Sequence, residues 1–198
     1  MSCPGRTRLF SRRLVCAQMP SNEIRIIGGR FKGRKLRFPN TSNLRPTLGR
    51  VRETLFNWLA ADIDGARCLD LFAGSGALGF EALSRGAAEV TYVERNRKAA
   101  SAIKSNITLL GVEQASVHCV DARQFLTRDT SAWDIVFFDP PFTTSAAELL
   151  DLLLTDSRLR EHGHIYVERP KREALPESSR LVKQATAGDC RFGLLASH

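Results

Sequence analysis

The segment Leu69-Asp70-Leu71-Phe72-Ala73-Gly74-Ser75-Gly76-Ala77-Leu78-Gly79 constrains the fold more than any other stretch of this chain. An apolar run ends in a glycine turn, and small and apolar residues follow it. Glycine is required where the backbone must take a left-handed conformation or let a ligand approach closely. The pattern is therefore a strand, a tight turn and a helix start. The alternation continues downstream. The sequence predicts strands at 67–72, 89–93, 115–119, 134–138 and 163–167, and helices at 77–85, 96–110 and 145–156. Short helical crossovers imply an α/β fold with a mostly parallel sheet and right-handed connections. Two last strands, around Leu181-Val182-Lys183 and Arg191–Leu195, are set to pair as a hairpin through Ala187-Gly188-Asp189. That would make seven strands with an antiparallel C-terminal edge.

Charge divides the chain. Residues 1–52 carry thirteen Lys and Arg against one acid, Glu23, whereas the remainder carries 16 basic and 20 acidic residues. A basic N-terminal part on a slightly acidic body points to a polyanionic partner held by that part. Residues 1–20 are basic and without a period, so a disordered tail is expected. Residues 24–38 read as a hairpin studded with Arg30, Lys32, Arg34, Lys35 and Arg37. Thr47 is placed to cap a following helix whose apolar stripe is Leu48, Val51, Leu55 and Leu59. Arg50 and Arg52 are expected on its other faces, free for phosphate or cofactor. The expected organisation is a tail (1–20), a hairpin and helix extension (21–62) and a main domain (63–198). No run of eighteen apolar residues predicts a membrane helix. Five cysteines without a C-x-x-C pair point to reduced thiols in the cytoplasm, with no disulfide or zinc framework.

The glycine turn alone fits a nicotinamide cofactor as well as others. Asp70 helps to decide. A carboxylate beside the turn would repel a pyrophosphate on the helix N-terminus, and it suits a cofactor bearing ammonium and sulfonium groups, such as S-adenosylmethionine. Glu94 ends the second strand, twenty residues past Gly74, where an acid can accept both ribose hydroxyls. Asp121 follows the third strand. It can accept from an adenine amine and equally cap the next helix, and the two roles are compatible.

The tetrapeptide Asp139-Pro140-Pro141-Phe142 follows the apolar strand Ile135–Phe138. In an open parallel sheet, ligands bind beyond the carboxyl ends of strands, so Asp139 is aimed at the same edge as Gly74 and Glu94. An exocyclic amine of a base is a poor nucleophile because its lone pair is delocalised into the ring. Two acceptors on its hydrogens, the Asp139 carboxylate and the Pro140 carbonyl, favour a pyramidal nitrogen. Pro141 restricts Pro140 to an extended form, so that carbonyl is held in place beforehand. Phe142 offers a stacking face worth roughly 1–3 kcal/mol to a splayed-out base.

With these motifs Arg25-Ile26-Ile27-Gly28-Gly29, Gly33-Arg34-Lys35-Leu36, Arg45-Pro46-Thr47 and Arg50-Val51-Arg52-Glu53-Thr54-Leu55-Phe56-Asn57-Trp58-Leu59 closely resemble the bacterial 16S ribosomal RNA guanine-N2 methyltransferases acting on guanine 966. The resemblance spans about residues 24–168. It implies a Rossmann-like fold, S-adenosylmethionine as methyl donor, and 16S rRNA of the assembling small subunit as partner, in the bacterial cytoplasm. It implies a cofactor set of Thr47, Asp70, Phe72, Gly74, Ser75, Gly76, Glu94, Arg95, Asp121 and Ala122. The target-amine set would be Asp139 to Phe142, and the RNA set would be Arg30, Lys32, Arg34, Lys35, Arg37, Arg45 and Arg50. A monomer without metal is the default expectation. Rival readings are a DNA adenine-N6 methyltransferase, which would normally need a target-recognition domain, an NAD-dependent dehydrogenase, which Asp70 opposes, and a non-catalytic RNA-binding assembly factor.

Overall fold

The computed structural model describes residues 21–39, 49–141, 146–155, 157–176 and 180–197. The tail 1–20 and the expected site residues Arg45, Thr47 and Phe142 lie outside these described residues. In chain order the elements are β1 (Ser21–Arg25), β2 (Lys35–Pro39), α1 (Gly49–Trp58), β3 (Arg67–Asp70), α2 (Ala77–Ser84), β4 (Glu89–Val93) and α3 (Arg97–Leu110). They continue with β5 (Ala115–His118), α4 (Ala122–Arg128), β6 (Trp133–Phe138), α5 (Ala146–Thr155), β7 (Leu159–Pro170), β8 (Leu181–Ala187) and β9 (Cys190–Ala196).

β1 and β2 form a separate antiparallel pair, and the other seven strands form one sheet in the order β5-β4-β3-β6-β7-β9-β8. β3 to β7 run parallel, while β9 is antiparallel to both β7 and β8. This is the expected α/β, Rossmann-like arrangement with an antiparallel C-terminal edge. The chain order reverses between β3 and β6, which makes the crevice beyond their carboxyl ends the place for a ligand.

Helices cover both faces. α1, α2, α3 and the hairpin pack on one, where Leu55, Phe56, Phe80 and Ile103 meet Tyr92, Phe137, Tyr166 and Phe192. α4 and α5 pack on the other, where Phe125, Leu126 and Leu153 meet Val136, Phe138, Ile165 and Val167. The period-two alternation in β6 produces this division, because Phe137 faces one layer and Val136 and Phe138 the other. Caps close α3 at both ends: the Asn96 side chain accepts from Lys98 and Ala99 N–H at its start, and Gly111 ends it with φ of 64°.

Two expectations need correction. β7 is longer than 163–167, because β9 pairs along it as far as Pro170, and its first residue pairs with Trp133 across a register shift. Arg52 does not stand free on an outer face of α1. It is 5% exposed, beside Val51, Leu55 and Phe56, and its Nη1 donates to the Arg25 carbonyl at 3.2 Å and lies 3.8 Å from Glu81 Oε2. Position 52 is three and four residues from Leu55 and Phe56, so it shares their buried face.

Candidate active site at the carboxyl edge of the sheet

The glycine turn is built by backbone geometry that a side chain would disturb. Gly74 and Gly76 have φ of 54° and 76°. A Cβ on Gly76 would meet the Phe80 ring at 2.8 Å. The turn is tied to its neighbours: Ala73 N–H donates to the Val93 carbonyl at 3.0 Å, and Gly74 N–H donates to Glu94 Oε2 at 2.8 Å. The other Glu94 oxygen accepts from Asn96 N–H at 2.6 Å. Glu94 thus reaches back across the twenty residues to the turn. Each of its oxygens has a second lone pair for a further donor.

Asp70 is 3% exposed at the end of β3, and its Oδ2 accepts from Gly79 N–H in α2 at 3.1 Å. Burial pushes its carboxyl up to about 7, the Gly79 hydrogen bond pulls it back, and the nearby Glu94 charge adds to the rise. With carboxylates from Asp70 and Glu94 on the turn, and Gly74 N–H already given to one of them, the turn suits a cationic, phosphate-free cofactor rather than a pyrophosphate. Ser75 is buried, Phe72 stands edge-on to Phe138 at 5.6 Å, and Arg95 is exposed just past Glu94. Asp121 caps α4 by accepting from Arg123 N–H at 2.9 Å, with Ala122 buried behind it.

Register brings the tetrapeptide to the same edge. Asp70 pairs with Phe137, two residues before Asp139. Burial raises the Asp139 carboxyl well above the ordinary carboxylate range, Glu168 and Asp70 raise it further, and Arg169 opposes them. Pro140 is buried and Pro141 exposed. Acids therefore follow one another along the edge in strand order: Asp121, Glu94, Asp70, Asp139 and, on β7, Glu168. Sequence reasoning missed Glu168. The Phe138–Val167 pairing sets it beside Asp139, and the buried Tyr166 donates its hydroxyl to Glu168 Oε2 at 2.5 Å. The signal was present in the alternation Tyr166-Val167-Glu168, which puts the hydroxyl and the carboxylate on one face of a strand ending at this edge.

The basic candidates lie elsewhere. The hairpin turn docks on the C-terminal end of α2, where Arg30 N–H donates to the Ser84 carbonyl at 2.6 Å. Gly29, at φ of 74°, passes so close to that carbonyl that a Cβ would overlap it. Arg34 Nη2 donates to the Leu109 carbonyl at 3.4 Å, at the far end of α3. Arg37 N–H donates to Asn106 Oδ1 at 3.2 Å near the same end of α3, Lys35 and Arg37 both pair with Glu23, at 2.8 and 3.5 Å, and Arg50 is exposed on α1.

Comparison with known proteins fits this geometry. The family model described as conserved hypothetical protein 95 matches residues 24–195. The ribosomal RNA small subunit methyltransferase D of Escherichia coli strain K12 is 47% identical over 178 residues, covering 88% of this chain and 90% of that protein. The chain belongs to the ribosomal RNA small subunit methyltransferase D family. The solved structure of yhhF from Escherichia coli is 42% identical with a TM-score of 0.79, covering 89% of this chain and 98% of that one. A more distant structure is the T. thermophilus 16S rRNA N2 G1207 methyltransferase in complex with AdoMet and guanosine. It is 19% identical with a TM-score of 0.65 over 90% of this chain and half of that one, and shares the fold. The Asp70, Glu94 and Asp139 constellation lies at the carboxyl edge of the sheet, and the hairpin is a second feature, docked at the C-terminal ends of α2 and α3.

Proposed function

We propose that this chain transfers a methyl group from S-adenosylmethionine to the exocyclic N2 amine of a guanine, G966, in 16S rRNA of the assembling small subunit, as a cytoplasmic monomer. The observation that carries the reading is the meeting of Asp139-Pro140 with the acid-lined glycine turn at the point where the strand order reverses. Thr47, Asp70, Phe72, Gly74 to Gly76, Glu94, Arg95, Asp121 and Ala122 are the residues proposed to hold the cofactor. Asp70 and Glu94 would meet its cationic end and its ribose.

S-adenosylmethionine held at the turn would supply a sulfonium-borne methyl group for the N2 lone pair to accept. Asp139 holds one N2 hydrogen and the Pro140 carbonyl the other, and the proton is lost after transfer to Asp139 or water. Alignment, rather than a strong base, provides most of the rate. Phe142 would stack on the splayed-out guanine. Arg30, Lys32, Arg34, Lys35, Arg37, Arg45 and Arg50 would hold phosphates without reading sequence. Among the described residues no helix is long and apolar enough to cross a membrane.

The test is methyl transfer from labelled S-adenosylmethionine to undermethylated small subunits, naked 16S RNA and duplex DNA. The expected product is N2-methylguanine in ribosomal RNA. Asp139→Ala should lower turnover by about 10²–10³-fold while keeping cofactor affinity, the scale seen when one preorganised group at a reacting atom is removed. Label only in DNA would favour an adenine-N6 enzyme, and cofactor binding without transfer would favour an assembly factor.

A further inference from the structure

The parallel pairing of Phe138 with Val167 carries forward by one residue, so Asp139, just past the end of β6, lies beside Glu168 on β7. Neighbouring strands are about 4.8 Å apart, the spacing of two groups that can meet one edge of a base. Glu168 is held in that position from behind. Tyr166, two residues earlier on the same face and fully buried, gives its hydroxyl to Oε2, and the buried Cys190 thiol lies against the same carboxylate. Neither partner carries a positive charge. The carboxylate is oriented without being neutralised, and lone pairs on it remain for a ligand.

Two carboxyl groups at this spacing offer adjacent acceptor oxygens, which favours a ligand that presents two adjacent N–H donors. Among the bases, guanine does so on its Watson–Crick edge, with N1–H beside the N2 amine. Adenine offers an amine beside the N1 lone pair, and cytosine an amine beside the N3 lone pair. A carboxylate facing either lone pair is repelled. Resting on the guanine-N2 reading, we propose that Glu168 is a second carboxylate on the target base, accepting N1–H while Asp139 accepts an N2 hydrogen, and that it selects guanine over adenine. The Asp-Pro-Pro-Phe motif then supplies amine chemistry common to several bases, and β7 supplies the choice of base.

The decisive probe is an RNA fragment carrying either guanine or 2-aminopurine at the nucleotide where the wild-type protein places its methyl group. 2-Aminopurine keeps the N2 amine but has a lone pair in place of N1–H. Wild type should use it with kcat/KM roughly 10- to 100-fold below guanine, the scale of one lost directional base contact. Glu168→Gln can turn its amide NH2 toward that lone pair, and it should narrow the gap to about threefold or less on the same scale. That rescue separates N1–H from the O6 atom that 2-aminopurine also lacks. Asp139→Asn should slow both substrates and leave their ratio unchanged. Equal use of the two bases by wild type would overturn the inference, and this arm needs no variant to fold. A Glu168→Gln protein that binds cofactor normally yet keeps the full gap would overturn it as well. A wild-type protein that makes no N2-methylguanine in any RNA refutes the underlying reading instead, before 2-aminopurine is used.

Discussion

Glu81 on α2 and Asp70 at the end of β3 are both buried acids, and the molecule treats them in opposite ways. Glu81 is 0% exposed and nearly saturated: Ile27 and Gly28 N–H each donate at 2.8 Å, Arg85 Nε donates at 2.9 Å, and Arg52 lies at 3.8 Å. Asp70 has one backbone donor, Gly79, and burial pushes its carboxyl up to about 7. Asp139 has no hydrogen-bond donor among the described residues and is likewise raised. A buried carboxylate with a full donor set is an anchor, and here it fastens the hairpin to the sheet-covering helices. One with an incomplete set is a charge that a ligand's own cations or N–H groups can complete.

The largest effect should come from breaking the anchor. Glu81→Ala leaves two backbone N–H groups and the Arg85 Nε–H without their acceptor, and the buried Arg52 without its counter-charge. The unfolding free energy should fall by about 3–5 kcal/mol in a denaturant titration, the usual scale for removing one partner of a buried charged network. A loss under about 1 kcal/mol would mean that Arg52, Arg85 and the hairpin rearrange around the gap, since surface changes lie in that range.

Asp70 should behave the other way. Its carboxyl is raised in the folded state, so its contribution to stability is fully present below the unfolded value near pH 4 and is lost as pH rises through about 7. Wild type should therefore lose stability across pH 4–7 relative to Asp70→Asn, measured as the difference in denaturation midpoint at each pH. Cofactor affinity should move in the opposite sense. In the proposed reading the ionised form would pair with the cofactor's ammonium group, so affinity should weaken by up to about tenfold per pH unit below 7, a dependence that Asp70→Asn should flatten. Parallel profiles for the two proteins would show that another group on the edge sets the dependence.

The smallest effect concerns the exposed cations. Arg34→Glu with Lys35→Glu should weaken RNA binding and reduce the slope of log affinity against log salt by about 1.5–2, while leaving cofactor affinity unchanged. An unaltered slope would remove the hairpin from the RNA surface.

The elements around the glycine turn were legible because each is a local pattern. The apolar run Ile135–Phe138 marks a strand, Asp121 marks a helix start, and Gly74 and Gly76 mark a turn that only glycine takes comfortably. The reach of Glu94 back to the turn was legible from spacing, although its bond to Gly74 N–H was not. Arg52, Glu81 and Glu168 were misread or passed over. Each is a charged residue whose role depends on what another element places against it, and periodicity does not report that. Helical spacing from Leu55 and Phe56 does put Arg52 on the buried face, but a charge there is acceptable only because Glu81, 29 residues further along, supplies the counter-charge.

The position of the hairpin has a consequence for the shape of the substrate. Arg34 is fastened at Leu109, thirteen residues past the Asn96 cap at the carboxyl edge of the sheet, and an α-helix rises 1.5 Å per residue, which makes the separation roughly 20 Å. In the proposed reading, α3 acts as a ruler between the place where phosphates are gripped and the place where a base is modified. A free nucleoside or a very short oligonucleotide can fill one end of that ruler but not both. An RNA whose fold holds a splayed-out guanine at the right remove from its own backbone fills both, so distance rather than neighbouring sequence would select the site.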